Sequence, residues 1–594
     1  NAGSMKVSGI ETVIGSSGTD VVTLLETGAL AVDGVETVIG SGGEDDVVTL
    51  LAADALSVGS VASVIGTSGA TDTVNLLGTG TVAVSGIETV VGSTGVNVVE
   101  LDDGETLAVS AVETVLGSEE NTEILTLLSG AVPISVSGID TVLGGVGTSD
   151  AVTLLAVGEL VVDQVDTAIG TSDEGDSLTL LSAGTVRVNR FETVTGSTGT
   201  DILRMTGTGS LQISGIESLI GTTAGTDAAT LLAEGTLAVS AVDSLTGSDG
   251  TDVVRLLAGG SVELGGVETV LGSTAADTVT LAIGGSLAIS AVESAIGSSD
   301  ADDVLTLLAA ANVAVSAFES VVGSSATSDS LTLLSEGEIS LSDVETLIGT
   351  TGTDTATLLS TGTLAVSKVD TVIGTDGTDT VKMLAGGTVA ITDIERVIGS
   401  ASTADVVQML ADGTLEVSAV ESVVGSADED AVTMLAAGSL KLSDVETVIG
   451  STTLVEVVTL NAGSLLAVSD INTVIGQAGV DDSVQMLAGG ALAASAVDTV
   501  TGTTGSTDAL TLLAAGTVTV IDIESVTGSA ALAEVVQLGD EGESLAVNAV
   551  DSVIGTTATG EALTLLSGGT VHVSGVERVL GGSNAINTVQ LLES

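Results

Sequence analysis

One phrase governs what this chain can fold into. It is first stated at Ile10-Glu11-Thr12-Val13-Ile14-Gly15-Ser16-Ser17-Gly18-Thr19-Asp20-Val21-Val22-Thr23-Leu24-Leu25 and is restated to the end of the chain. The glycine that closes the Glu-Thr-Val-Ile-Gly segment occurs in 23 copies, from Gly15, Gly40, Gly66 and Gly92 to Gly528, Gly555 and Gly581, at intervals of 25 to 27 residues. An internal period of this size signals a solenoid, a propeller or an array. A unit so short cannot bury its own apolar face and must stack on its neighbours.

Composition supports stacking over an irregular core. Hydrophobic residues make up 44% of the chain, yet Trp and Tyr are absent and Phe occurs only as Phe191 and Phe318. Aromatic side chains usually fill the irregular space of a globular core of this size. Identical layers need only identical aliphatic plugs. The 594 residues carry 79 acids against 10 bases, a net charge of −69, which argues against nucleic acid or anionic membranes as partners. Cysteine is absent, so neither disulfide nor thiolate chemistry is available. No uninterrupted apolar run reaches the length of a spanning helix.

Each unit reads as three short strands. In the first, Val21-Val22-Thr23-Leu24-Leu25, the Val22 and Leu24 positions stay apolar while the Thr23 position stays polar, so Val22 and Leu24 point inward. A Gly-containing turn leads to Leu30-Ala31-Val32, which alternates the same way. The third strand begins at Val35 and runs to Gly40, with Val35 and Val38 inside and a bend at Glu36-Thr37. Spacings of two, three and six match no single helical stripe. The fold expected is all-β: a single-stranded parallel β-solenoid (β-helix) of 23 coils of 25–27 residues, three strands per coil, continuous over residues 1–594 without caps or inserted domains.

Two acidic columns run through the repeats. The first contains Asp20, Asp46, Asp72, Asp150, Asp176, Asp201, Asp227, Asp252, Asp277, Asp303, Asp329, Asp354, Asp379, Asp405, Asp430, Asp482 and Asp508 and is acidic in 21 of 23 copies, the exceptions being Asn97 and Asn587. The second opens the third strand (Glu11, Glu36, Glu88, Glu113, Asp140) and is also acidic in 21 copies, the exceptions being Ala62 and Asn472. One coil per repeat would set like charges about 5 Å apart, repelling by roughly 0.9 kcal/mol per pair in water. Something would have to offset that. Either a hard cation sits among the carboxylates, or each Asp accepts hydrogen bonds from loop N–H groups, as turn acids do.

The loop Gly15-Ser16-Ser17-Gly18-Thr19-Asp20-Val21-Val22-Thr23 resembles the nonapeptide of the calcium-binding RTX (haemolysin-type) repeats, G-G-x-G-x-D-x-U-x, with Ser16 at the second glycine. Similar runs occur at Gly196 to Asp201, Gly247 to Asp252, Gly349 to Asp354 and Gly374 to Asp379. The resemblance covers one loop per repeat. It implies Ca²⁺ bound by glycine carbonyls and the Asp column between successive turns, in an exported bacterial protein.

The Ile14 and Leu25 columns are apolar although alternation places them outside; they are expected to be corner residues turned inward, or else stripes for lateral contact. The lone His572 stands on an outward strand position, and no catalytic cluster interrupts the repeat. The end of the chain, Thr588-Val589-Gln590-Leu591-Leu592-Glu593-Ser594, leads in nearly correct phase into Asn1-Ala2-Gly3-Ser4-Met5-Lys6-Val7. The reading is of a non-enzymatic extracellular or cell-surface structural protein, an acidic fibre, stalk or surface-layer component. Its partner would be itself, head to tail and laterally. The alternative is the calcium-dependent spacer of a large RTX-like exported adhesin.

Overall fold

A computed structural model describes residues 3–592 except 70, 103, 119–121, 129–132, 146, 148, 327, 403, 462, 464, 540–542, 558 and 583–585. Its described residues form 69 strands and no helix, so no helix is long and apolar enough to cross a membrane. The chain comprises two compact units, Asn1–Asp300 and Ala301–Ser594. Each is a parallel β-solenoid built from two facing sheets.

Every repeat supplies three strands, as at Val21–Leu24, Ala29–Asp33 and Thr37–Ile39. The turn of the solenoid, however, holds only two. Val21–Leu24 pairs in parallel with Thr37–Ile39, which pairs with Ala55–Gly59 of the next repeat, which pairs with Thr73–Leu76 of the one after. Three turns therefore span two repeats. The expectation of three strands per coil and one coil per repeat is corrected: a repeat is one and a half turns. Successive strands alternate between the two sheets, so three strands per repeat cannot return the chain to the same sheet.

The core follows from this alternation. Val22, Leu24, Leu30, Val32, Val35 and Val38 are all buried. Inward side chains stack in register from strand to strand: Leu56 lies beside Val74, Val74 beside Val90, Val90 beside Val109, and Val109 beside Leu127. Aliphatic residues suit such a ladder because β-branched and leucine side chains pack against their like on a pleated surface. Phe191 and Phe318 occupy the Val35 position and are buried with the rest.

The half-turn offset also redistributes every surface column. Consecutive copies of a loop fall on opposite edges of the sandwich, and a given loop type recurs on one edge only every third turn, about 14 Å on. The Leu25 column is consequently diluted. Leu25, Leu51 and Leu77 are 52–56% exposed, not turned inward as expected, but they stand as separated single residues. Ile14 and Ile39 are exposed as well. Isolated surface leucines need no partner.

Candidate functional site

The same offset removes the electrostatic problem posed by the acidic columns. Asp20 and Asp46 lie on opposite edges, and the next Asp on the edge of Asp20 is Asp72, three turns away. At about 14 Å two unit charges repel by roughly 0.3 kcal/mol in water before screening. No counter-ion is required by stacking alone.

What stacks directly above the Asp loop is the corner that carries the second acidic column. Asp252 shows the geometry. One carboxylate oxygen accepts the Ser248 N–H at 2.6 Å and the Ser248 hydroxyl at 2.9 Å within its own loop. The other accepts the Gly235 N–H at 3.1 Å from the preceding turn. Its backbone N–H donates at 2.8 Å to Glu268 on the following turn. A single side chain and its amide thus tie three successive turns. Asp46 repeats the arrangement through Ser41 and Gly28, at 2.6–3.2 Å.

The two columns are one device. In 21 copies the N–H at the Asp position donates, at 2.7–3.2 Å, to the side chain at the Glu position 16 or 17 residues on. The exception Asn472 still does this, through its amide oxygen to the N–H of Glu456 at 2.8 Å. Ala62 cannot, and there the Ala62 and Ser63 amides both donate to the Asp46 carbonyl. Of the seventeen aspartates singled out in the sequence, sixteen are exposed by 2% or less, and Asp20 is half-buried. They are brought together not with one another but each with its own Glu or Asp partner, except Asp46, which faces Ala62. Burying a carboxylate is costly unless hydrogen bonds replace its water, and these bonds do so at Asp252 and Asp46, whereas Asp227, Asp277 and Asp482 each keep Oδ1 buried without a partner.

A second feature of the corner was not anticipated from the sequence. One residue per repeat, just before the Val35 position, adopts the left-handed conformation. It is glycine in seven copies, Gly34 among them, but sixteen non-glycine residues also hold it, including Ser60, Ala111, Ala241 and Asp343, with φ between 50° and 59°. Its carbonyl points at the phrase glycine of the preceding turn. A Cβ on Gly15 would stand 1.7 Å from the Gly34 oxygen, and one on Gly40 would stand 1.9 Å from that of Ser60. The mixture of Gly, Ala and Asp at the corner position was the available signal.

Variation in the Asp column has readable consequences. Glu123, Glu456, Glu534 and Glu561 occupy it with one methylene more, and each leaves Oε2 buried without a partner, as Asp227, Asp277 and Asp482 leave Oδ1. Burial pushes the Glu534 carboxyl above its ordinary value, and the adjacent Asp551 carboxyl raises it further against the lowering effect of the Ser529 N–H. Where N–H donors dominate, the shift reverses. The Ser16 N–H and hydroxyl hold Asp20 low, and the Glu561 and Gly560 amides hold Glu577 low.

Asn97 reverses the donor pattern. Its Nδ2 donates to the carbonyls of Gly95 at 2.8 Å, Ser93 at 3.3 Å and Ala111 at 3.4 Å, and lies 3.3 Å from the Glu113 carboxylate. Four oxygens from two turns therefore converge beside the column. Carbonyl and carboxylate oxygens are the donors a hard cation takes, so this part of the loop fits Ca²⁺ in kind. Among the described residues no group of three or more His, Cys, Asp or Glu side chains comes together as a metal cluster. Protein carbonyls would have to supply most of the ligands. His572, outward on its strand, sets Nδ1 3.2 Å from the Asp551 carbonyl.

No protein-family model, curated protein or solved structure matches the chain.

Proposed function

We propose that this is a non-catalytic structural protein of the cell exterior: an acidic β-solenoid fibre, stalk or surface-layer component that associates with itself. The observation behind this reading is the uniform Asp–Glu tie. The repeat commits its polar side chains to one internal interaction, copied along both units, rather than concentrating them at a single place as a reaction centre requires. The net charge of −69 favours solubility and disfavours nucleic acid and anionic membranes. Electron microscopy of the purified chain is the test. Long unbranched filaments are expected, and isolated monomers at all concentrations and salt conditions would sink the self-association.

A second reading, the calcium-reinforced spacer of an RTX-like exported adhesin, is favoured by Asn97. Where the column carries Asp, an acceptor takes the place of the donor that satisfies the Gly95, Ser93 and Ala111 carbonyls, and a cation could serve all of them. Removal of calcium with a chelator, followed by thermal melting, separates the readings. A large fall in melting temperature supports the spacer, and no change supports the metal-free fibre.

A further inference from the structure

Charge is not spread evenly over either unit. Among the described strands, outward positions carry eight of the chain's ten bases but only seven of its 79 acids. In the second unit they hold Lys382, Arg396, Lys441 and Arg578 against Glu338 and Glu416. The two bases off the strands are Arg190 and Lys368, both at the left-handed corner. Most of the acids belong to the loops and corners, at the edges of the sandwich. Each unit therefore has strongly acidic edges and nearly neutral flat faces.

In the first unit the two faces are also complementary. Between residues 106 and 296 one sheet presents Arg187, Arg204 and Arg255 outward and no acid, while the other presents Glu159, Asp163 and Glu263 and no base. Arg187 stands directly beside Arg204 on the neighbouring strand. Like charges so placed are unfavourable on a sheet. No acid of the unit answers them: the one ion pair among the described residues joins Arg396 to Glu416. All three arginines are exposed, among uncharged outward neighbours such as Thr167, Ile202 and Ile220.

The heights of these residues match. Arg255 lies on Asp252–Leu256 and Glu263 on Gly260–Gly265, consecutive strands on opposite sheets, so half a turn or about 2.4 Å separates them along the axis. Glu159 and Asp163 share one strand, three half-turns before that of Arg187, a rise of about 7 Å that an arginine side chain can span. A copy moved sideways by one sandwich, with no rotation and no slide, would set its acidic face on the arginine face.

We infer that a second copy of this chain docks laterally, laying the Glu159, Asp163 and Glu263 face of its first unit on the Arg187, Arg204 and Arg255 face of the other. This rests on the self-association proposed above and specifies its lateral contact. The relation is a translation, so each docked copy offers the same two faces again and the stack stays open. Repulsion between the acidic edges opposes edge-to-edge contact.

Charge reversal tests the contact, read by sedimentation velocity and electron microscopy. Arg187→Glu with Arg204→Glu and Arg255→Glu should keep the parental melting temperature, since all three side chains are exposed, and should weaken lateral association about tenfold or more. Glu159→Arg with Glu263→Arg should do the same. An equimolar mixture of the two variants should restore association, because opposite charges again meet at every contact. Arg190→Glu with Lys368→Glu removes the two bases that lie off the strands and should associate like the parent. An equal loss from that control would trace the effect to net charge and overturn the inference. Parent assemblies only one chain wide, face variants that associate like the parent, or a mixture that stays apart overturn it too and leave the fibre reading standing. Parent chains that remain monomers throughout overturn both.

Discussion

Gly40 and Ser60 lie on successive turns, and the Ser60 carbonyl oxygen sits 1.9 Å from where a methyl group on Gly40 would be. That contact explains the glycine of the repeated phrase. The Gly40 N–H donates at 2.7 Å to the Gly59 carbonyl one residue earlier, so the backbones cannot separate without losing the ladder at the corner. Gly40→Ala should therefore destabilise its turn by about 3 kcal/mol, at the upper end of overpacking costs. Gly28, where an added methyl would meet nothing within 4 Å, should accept Ala with little change. Because an array of repeats need not unfold as one unit, the readout is local amide exchange around residues 37–63 rather than a single global transition.

The residue that supplies the carbonyl carries its own strain. Ala241 holds φ at 54°, a region that disfavours any side chain with a Cβ. Gly215 and Gly266 occupy the same corner in neighbouring repeats at φ 63°. Ala241→Gly should stabilise the corner by roughly 0.5–1 kcal/mol, the left-handed penalty less the entropy glycine loses on folding. Slower amide exchange at residues 236–246 would show it. Faster exchange would mean that the surrounding contacts already absorb the strain.

These two positions mark where sequence reasoning succeeded and where it stopped. Alternation at Val22, Thr23 and Leu24 was enough to place side chains in or out, because a strand has a period of two whatever it pairs with. The bond from the Asp252 amide to Glu268 was not legible, because it depends on which turn lies above which. Pairing is set by the sandwich. Three strands laid alternately on two sheets make one and a half turns, and no property of a single repeat states that number. The same ignorance made the acidic columns look like stacks of like charge. Burial of Asp46 or Asp72 was equally hidden, since an aspartate in a Gly-rich loop reads as a surface residue until its amide donors are found.

The tie itself can be broken in parts. Asp252→Ala leaves the Ser248 and Gly235 amides without their acceptor; an orphaned buried amide costs about 1–3 kcal/mol, which applies in part to the half-buried Ser248 and less to Gly235, which is exposed and can turn to water. A local loss of about 2–3 kcal/mol is expected, read as accelerated exchange on all three turns from Gly235 to Glu268. Glu268→Gln keeps an acceptor for the Asp252 N–H and loses only the charge, so it should cost about 1 kcal/mol. Equal effects of the two substitutions would show that the side chains act independently rather than as a pair.

Acid titration should separate the carboxyls that the fold welcomes from those it resists. Glu534 is held above its ordinary value by burial and by Asp551, so the folded chain binds that proton more tightly than the unfolded chain does. Its favourable contribution is present below the unfolded pKa and is lost as pH rises through the folded one. Glu534→Gln should accordingly be more stable than the parent near pH 7 and indistinguishable from it in acid. Glu577 is held low by the amides of Glu561 and Gly560, so its contribution is present above the unfolded pKa and lost as pH falls through the folded one. Glu577→Gln should be less stable than the parent near pH 7, with the difference closing in acid. Thermal melts of the parent and both variants from pH 3 to pH 7 would show the two difference curves departing from zero in opposite directions as pH rises. Curves that depart in the same direction would show that the extra methylene at Glu534 is accommodated as well as an aspartate.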